Sequence, residues 1–274
     1  MDRELILKNM SKITVVIAIV IAVAATIFLL TKYSQQADTL HYRGKVDYEL
    51  LNQIQKFPSS KLKRIVIDSV GGEYPPALKI AKIIQNQKIQ IVVDGYCLSA
   101  CASIILPAGK DNIVTENSLI GFHNLPGVWV YLESYIEKKY KKSIKTMPIY
   151  EDSLKTIQLY ENSGINPDLF IALTFGKGPI CLDISGIAPR LNLKKNVSIE
   201  FLQDIYIPNR YFFEQFDWKF KELYLPESQE VAEKLAEPLR KNNPGLKLRM
   251  ADKDFEFPSF FSGGDMEFRH FQEC

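Results

Sequence analysis

The sequence predicts an α/β domain of stacked βαβ units behind an N-terminal transmembrane helix, with an α-rich C-terminal extension. Three observations carry that expectation. Residues 13–30 form an uncharged apolar run, β-branched segments alternate with helical ones between residues 64 and 122, and an aromatic stretch followed by an amphipathic one lies beyond residue 200. The boundaries read as a cytoplasmic N-terminus at 1–12, an anchor at 13–31, a linker at 32–45, an α/β domain at 46–200 and the extension at 201–274.

Composition suits one ordinary domain with an appendage. The 274 residues are 46% hydrophobic and 24% charged, with a formal net charge of +2, which excludes general disorder and supplies a sizeable core. Thirty-four basic residues stand against 32 acidic ones, so no basic excess points to nucleic acid as a partner. His41, His123 and His270 are the only histidines, and a mechanism that needs imidazole has a short choice.

Residues 13–30 (ITVVIAIVIAVAATIFLL) carry no charge. At ~1.5 Å rise per residue, a helix of that length approaches the ~30 Å hydrocarbon core. Arg3, Lys8 and Lys12 precede it and Lys32 follows, which predicts a single-pass membrane protein with its short N-terminus in the cytoplasm and its main domain outside. An uncleaved anchor is favoured over a cleaved signal peptide because Ala22, Ala24 and Ala25 lie inside the run rather than after it.

The polar segment 32–45 reads as a tether. Residues 64–68 (RIVID) predict a strand that stops at Ser69-Val70-Gly71-Gly72. Residues 75–85 place Leu78, Ala81 and Ile84 at helical spacing, with Pro75 and Pro76 acceptable in a first turn. Residues 89–93 (IQIVV) predict the next strand, 98–106 an apolar helix closed by Pro107-Ala108-Gly109, and 113–114 and 119–122 two further strands. Strand and helix alternating in this way imply a mostly parallel sheet. Helices are expected at 131–145, 152–162, 167–175 and 227–240. Phe212, Phe216, Phe220 and Tyr224 fall four apart as one stripe of a further helix, best explained by packing against the domain.

Three segments carry chemistry. Gly71 and Gly72, after a strand, let backbone approach a ligand closely and present N–H groups to it. Ser99, in Gly95-Tyr96-Cys97-Leu98-Ser99-Ala100-Cys101, stands at a strand-to-helix junction, where unpaired amides and the helix dipole favour an alkoxide and an oxyanion. His123, in Gly121-Phe122-His123-Asn124, is the one histidine of the α/β core and suits a general base. Taken singly these signals are weak; their order and spacing raise the odds.

In that order the segments resemble the Clp-like serine peptidases of the Clp protease/crotonase fold. That family shows Ser-Pro-Gly-Gly after a strand, a Gly-x-x-x-Ser turn opening an apolar helix, and a histidine about two dozen residues later. Here Val70 replaces the proline. The Cys-x-Ser-Ala-Cys pattern and the leading apolar run look most like an exported, membrane-anchored bacterial branch. The resemblance covers residues 60–125 well, 125–195 loosely, and does not reach the C-terminal seventy or so. It implies Ser99 as nucleophile, His123 as base, an oxyanion hole from the Gly72 and Ala100 N–H groups, a peptide or protein substrate, self-association and no cofactor.

The resemblance departs at the third triad member. The family's acidic position falls near Gly178 and Pro179, which have no side chain able to orient an imidazole; Asp183 and Asp168 are the nearest carboxylates. A neighbouring branch of signal-peptide and NfeD-type peptidases uses a lysine base, and Lys138 and Lys139 lie in the corresponding window, although a lysine-rich face is ordinarily solvated. Cys97 and Cys101 flank Ser99 and read either as a disulfide or as buried small side chains; Cys181 and Cys274 read as paired or free. No zinc-ligand spacing occurs among Cys and His. Three functions are therefore expected in descending order: a membrane-anchored serine peptidase, a catalytically silent relative that binds a peptide or protein in the same cleft, and a crotonase-type acyl-CoA enzyme.

Overall fold

A computed structural model describes residues 38–58, 61–123, 127–169 and 204–250, together with Val20, Ile21 and Val23. The rest of the 13–30 run, and Cys181, Asp183, residues 190–193 and Cys274, lie outside the described residues. Among the described residues no helix is long and apolar enough to cross a membrane.

Strand β1 (Thr39–Arg43) lies within the segment expected to be a tether. Leu40 and Tyr42 are buried and alternate with the exposed His41 and Arg43, the period-2 pattern of a strand. Helix α1 (Tyr48–Lys56) starts at Asp47, whose carboxylate accepts the Glu49 and Leu50 N–H groups at 2.9 and 3.2 Å, a cap that contributes about 1 kcal/mol. Strand β2 (Arg64–Ser69) is followed by α2 (Tyr74–Gln87), with prolines in its first turn and Lys88 in the left-handed region at its end. Strand β3 (Gln90–Leu98) runs five residues beyond the expected stretch.

β1, β2 and β3 pair in parallel in sequential order. Because parallel crossovers are right-handed, a sequential order places the connecting helices on one face of the sheet. Helices α1 and α2 touch each other, and α2 touches the π turn Cys101–Ile105 that follows β3. Leu50, Ile54, Ile80, Ile84, Ile104 and Ile105 fill the core between them and the strands.

β3 is interrupted by a bulge. Ile67 pairs with Val93 and Ser69 with Cys97, so Asp68 of β2 opposes Asp94, Gly95 and Tyr96. The Asp68 carboxylate accepts the Tyr96 N–H at 2.9 Å, and the Ser118 hydroxyl accepts the Gly95 N–H at 3.2 Å while donating to Val93 O. The bulge lets β3 change partners: β4 (Ile113–Val114) pairs with Val92 and Val93, whereas β5 (Leu119–Gly121) pairs with Tyr96, Cys97 and Leu98. It thereby aims the last residues of β3 beside the end of β5.

The apolar helix expected at 98–106 is instead a π turn continuing into α3 (Leu106–Ala108), with Pro107 inside rather than beyond it. Leu106 N–H bonds to Cys101 O. Pro107 has no N–H to offer the Ser103 carbonyl, and the buried Tyr160 hydroxyl donates to that carbonyl at 3.0 Å. Helix α4 (Val128–Tyr140) ends earlier than expected, at Lys141 with φ 55°, and α5 (Pro148–Asn162) starts earlier.

Residues 204–250 build a second layer and complete the first. Strands β6 (Asp204–Ile207) and β8 (Lys247–Met250) pair in parallel, with α7 (Gln229–Asn242) against β8. β7 (Glu222–Leu223) joins the main sheet beside β4. The aromatic stripe is not one helix. Helix α6 (Arg210–Gln215) stops because Asp217 takes φ 57° and Trp218 N–H turns back to Phe213 O at 3.0 Å. Its aromatics do pack on the domain: Phe212, Phe213, Phe216 and Trp218 belong to the main core, and Trp218 meets the rings of Phe122 and Tyr160.

Candidate active site

The turn after β2 begins with Ser69, buried, whose hydroxyl accepts the Gly71 N–H at 3.1 Å. Gly71 has φ +91°, a conformation costly to residues with a Cβ. A Cβ there would stand 2.5 Å from Leu98 O and 2.6 Å from Ser99 Cβ, so this glycine lets the turn lie directly against Ser99. Val46 holds the other side: its N–H donates to Gly71 O at 2.9 Å and its carbonyl accepts from Glu73 N–H at 2.7 Å. The Val46–Gly72 bridge uses these flanking groups, which leaves the Gly72 amide outside it.

Ser99 is half-buried and takes φ +54°. Its N–H donates to Gly121 O at 2.9 Å, and its carbonyl accepts both the Ser103 N–H at 2.8 Å and the Ser103 hydroxyl at 2.9 Å. The chain thus turns from β3 into the helix at the serine itself. Ala100, buried, follows as the first helical residue, and N–H groups of a first turn have no intrahelical acceptor. The amides of Gly72 and Ala100 therefore belong to the two segments that meet at Ser99.

The sulfurs of Cys97 and Cys101 are bonded, with Cα atoms 5.1 Å apart and both residues fully buried. Cys97 lies between Ser69 of β2 and Ile120 of β5. The bond closes a loop around Leu98, Ser99 and Ala100.

His123 follows directly after Phe122, whose backbone exchanges two hydrogen bonds with Tyr206 of β6 at 2.9 and 2.8 Å. Phe122 is buried in the main core, and strand alternation turns His123 to the opposite side. Gly121 accepts the Ser99 N–H two residues before His123, so the ends of β3 and β5 bring serine and histidine to one edge of the sheet. Burial lowers the His123 pKa from its ordinary 6.5, because a charged imidazolium is poorly solvated there. Its Nδ1 atom is buried and makes no hydrogen bond among the described residues.

No described carboxylate occupies the third seat. Asp168 lies in the turn after α5, where its N–H donates to Asn166 Oδ1 at 2.9 Å. Burial first, then the charges of Asp168 and Glu161, push the Tyr131 hydroxyl up to about 12. Asp168 is not among the influences on His123. Lys138 is exposed on α4. Among the described residues no cluster of three His, Cys, Asp or Glu side chains stands where it could hold a metal ion. Gly71 stands in the glycine pair that the sequence marks, whereas Val46 and Ser103 carry no sequence signal as contacts of this site: Val46 reaches the turn only once the sheet has formed, and Ser103 is an ordinary residue of an apolar run.

No protein-family model matches the chain, and no curated protein matches it. Among solved structures it is similar to an asparagine-to-aspartate mutant of ClpP1 from Listeria monocytogenes, at 19% identity and a TM-score of 0.35, over 49% of this chain and 77% of that one. It is similar also to ClpP1 from the same organism, at 20% identity and a TM-score of 0.32, over 45% and 83%. A third is the ClpP protease catalytic domain from Plasmodium falciparum, at 20% and 0.29, over 47% and 85%. Likeness at this level identifies no family, and the roles proposed below rest on the site's own geometry.

Proposed function

We propose that this chain is a membrane-anchored, Clp-like serine peptidase that hydrolyses peptide bonds through an acyl-enzyme on Ser99. Ser99 Oγ attacks the carbonyl carbon while His123 takes its proton. The oxyanion collects N–H donors from Gly72 and Ala100, and His123 then returns the proton to the leaving amine. Water, deprotonated by the same imidazole, releases the acyl group.

The observation that carries this reading is the conformation of Ser99. A non-glycine residue at φ +54°, with its N–H and its carbonyl both hydrogen-bonded and a glycine turn packed on it, is a strained strand-to-helix elbow of the kind that presents a nucleophile. Lowering of the His123 pKa by burial also favours the neutral imidazole that a base requires.

One observation favours a second reading, a silent relative that binds a peptide or protein in the same cleft. His123 Nδ1 is buried without a hydrogen bond among the described residues, and a triad acid would ordinarily bond there; losing it costs about 10⁴ in rate. The proposal also includes a single-pass anchor at 13–31, a domain outside the cytoplasm, and self-association. The Cys97–Cys101 disulfide supports the outward placement, since such bonds persist in oxidising compartments.

Intact-mass labelling of the full chain in detergent micelles with a fluorophosphonate tests the first reading. One adduct per chain, absent in Ser99→Ala and at least 100-fold slower in His123→Ala, is expected. A folded chain that takes up no label would sink the peptidase reading and leave the binding one.

A further inference from the structure

We infer that the Cys97–Cys101 disulfide is the positioning element of this site: it holds Ser99 in its elbow conformation, so that a chain with both thiols reduced keeps its fold but presents a displaced, slow serine. The inference rests on the reading of Ser99 as nucleophile.

The disulfide spans the one point where β3 must become a helix. Four further residues of strand would carry the chain about 13 Å, whereas the Cα atoms of Cys97 and Cys101 are 5.1 Å apart. Of the three residues between them, Ser99 alone has a positive φ. A side chain in the left-handed region persists only where its surroundings over-determine it. The noncovalent ties of Ser99 do this on one side only. Its N–H reaches Gly121 on another strand, but both bonds to its carbonyl come from Ser103, in the turn that Ser99 itself introduces.

That turn is packed in the core through Cys101, Ile104 and Ile105, but its backbone is irregular. It is a π turn, closed by the Leu106 N–H on Cys101 O, and Pro107 removes the regular donor to the Ser103 carbonyl. The elbow here is followed by a π turn and not by a regular α-helical turn. The disulfide supplies the missing constraint by tying the turn to Cys97, which is itself clamped between β2 and β5.

Both cysteines are fully buried. Thiol–disulfide exchange needs an attacking thiolate to reach a sulfur, so the folded chain keeps the bond once it is made. It acts as a clamp set during folding and not as a switch.

The test uses the full chain in micelles with Cys181→Ala and Cys274→Ala, so that Cys97 and Cys101 are the only thiols. One sample is kept oxidised. A second is unfolded with dithiothreitol, which gives two electrons and two protons to the disulfide, becomes a cyclic disulfide itself and leaves two thiols; it is then refolded under reductant. A third carries Cys97→Ala and Cys101→Ala. Fluorophosphonate labelling is expected to slow at least tenfold in the second and third samples, with the pH midpoint set by His123 unchanged. Amide hydrogen exchange over 98–104 is expected to quicken at least tenfold while β1 and β2 stay protected. Reoxidation should restore both readouts in the second sample and neither in the third.

Unchanged labelling with unchanged exchange overturns the proposal. So does exchange that quickens equally throughout, or a chain that folds in neither altered sample, because the bond would then serve the whole fold. If the oxidised chain takes no label, the nucleophile reading fails separately. The exchange arm then decides alone: local loss of protection upholds the clamp, and unchanged protection removes it.

Discussion

Ser99 pays for its position in backbone strain, at φ +54°, a conformation that costs an L residue with a side chain roughly 1–2 kcal/mol relative to glycine. Ser99→Gly and Ser99→Ala both remove the hydroxyl, but only the first relieves the strain. Urea unfolding should find Ser99→Gly more stable than Ser99→Ala by about 1 kcal/mol; equal stabilities would mean that the elbow is not strained. At His123 the relevant quantity is the proton. Burial lowers its pKa from 6.5, so the unfolded chain takes up a proton that the folded one refuses, and folding stability falls as pH drops below the unfolded value. Labelling of Ser99 should likewise persist to a midpoint below pH 6.5. His123→Gln should flatten the stability decline that sets in as pH falls below 6.5, measured by urea unfolding at a series of pH values. The types and order of these two residues were legible because strand ends are local features. The burial of His123 Nδ1 without a hydrogen bond among the described residues was not, since it depends on what packs around the ring.

At the scale of elements, the informative differences lie where the backbone breaks its own pattern. The stretch 98–106 reads as a plain apolar helix, yet Pro107 lies inside the helical segment and the turn before it is π. A proline there strips a donor from the Ser103 carbonyl, and the Tyr160 hydroxyl replaces it from α5, fifty-seven residues away. Tyr160→Phe leaves that buried carbonyl one donor short and should cost about 1–3 kcal/mol, measured by urea unfolding; a loss below about 0.5 kcal/mol would mean another group takes over. The bulge of β3 has the same character. Asp68 and Ser118 take the amides that the sheet leaves over at Tyr96 and Gly95, and only the assembled sheet shows that these two side chains steer Cys97, Leu98 and Ser99. α6 ends at Gln215 although its aromatic stripe continues at a spacing of four, because Asp217 adopts the left-handed conformation that reverses the chain.

Across the whole molecule, residues 204–250 do two things at once. β7 extends the main sheet beside β4, and β6 clips the Phe122 backbone immediately before His123. Trp218 is the join: it is 3% exposed and touches the rings of Phe122, Tyr160, Phe213 and Phe220. Trp218→Ala removes a large buried ring from that cluster and should cost about 3–5 kcal/mol. The same variant should slow Ser99 labelling, because Phe122 and hence His123 lose their support. Retained stability, read by urea unfolding, would show the extension to be separable.

By itself the sequence determined the alternation of β-branched and helical segments, and with it a parallel sheet with serine and histidine at strand ends. Those properties follow from side-chain spacing along a few neighbouring residues, where the periods of 2 and 3.6 are visible. Only the tertiary structure decided that Thr39–Arg43 is an edge strand, that Gly71 is the glycine lying on Ser99, that Cys97 bonds Cys101, and that the aromatic extension shares the core. Each of these depends on which surfaces remain to be covered or which atoms come within reach once the sheet has formed. Apart from the alternation of Leu40 and Tyr42 within Thr39–Arg43, such contacts leave no period in the chain, because the partners are brought together by packing and not by spacing.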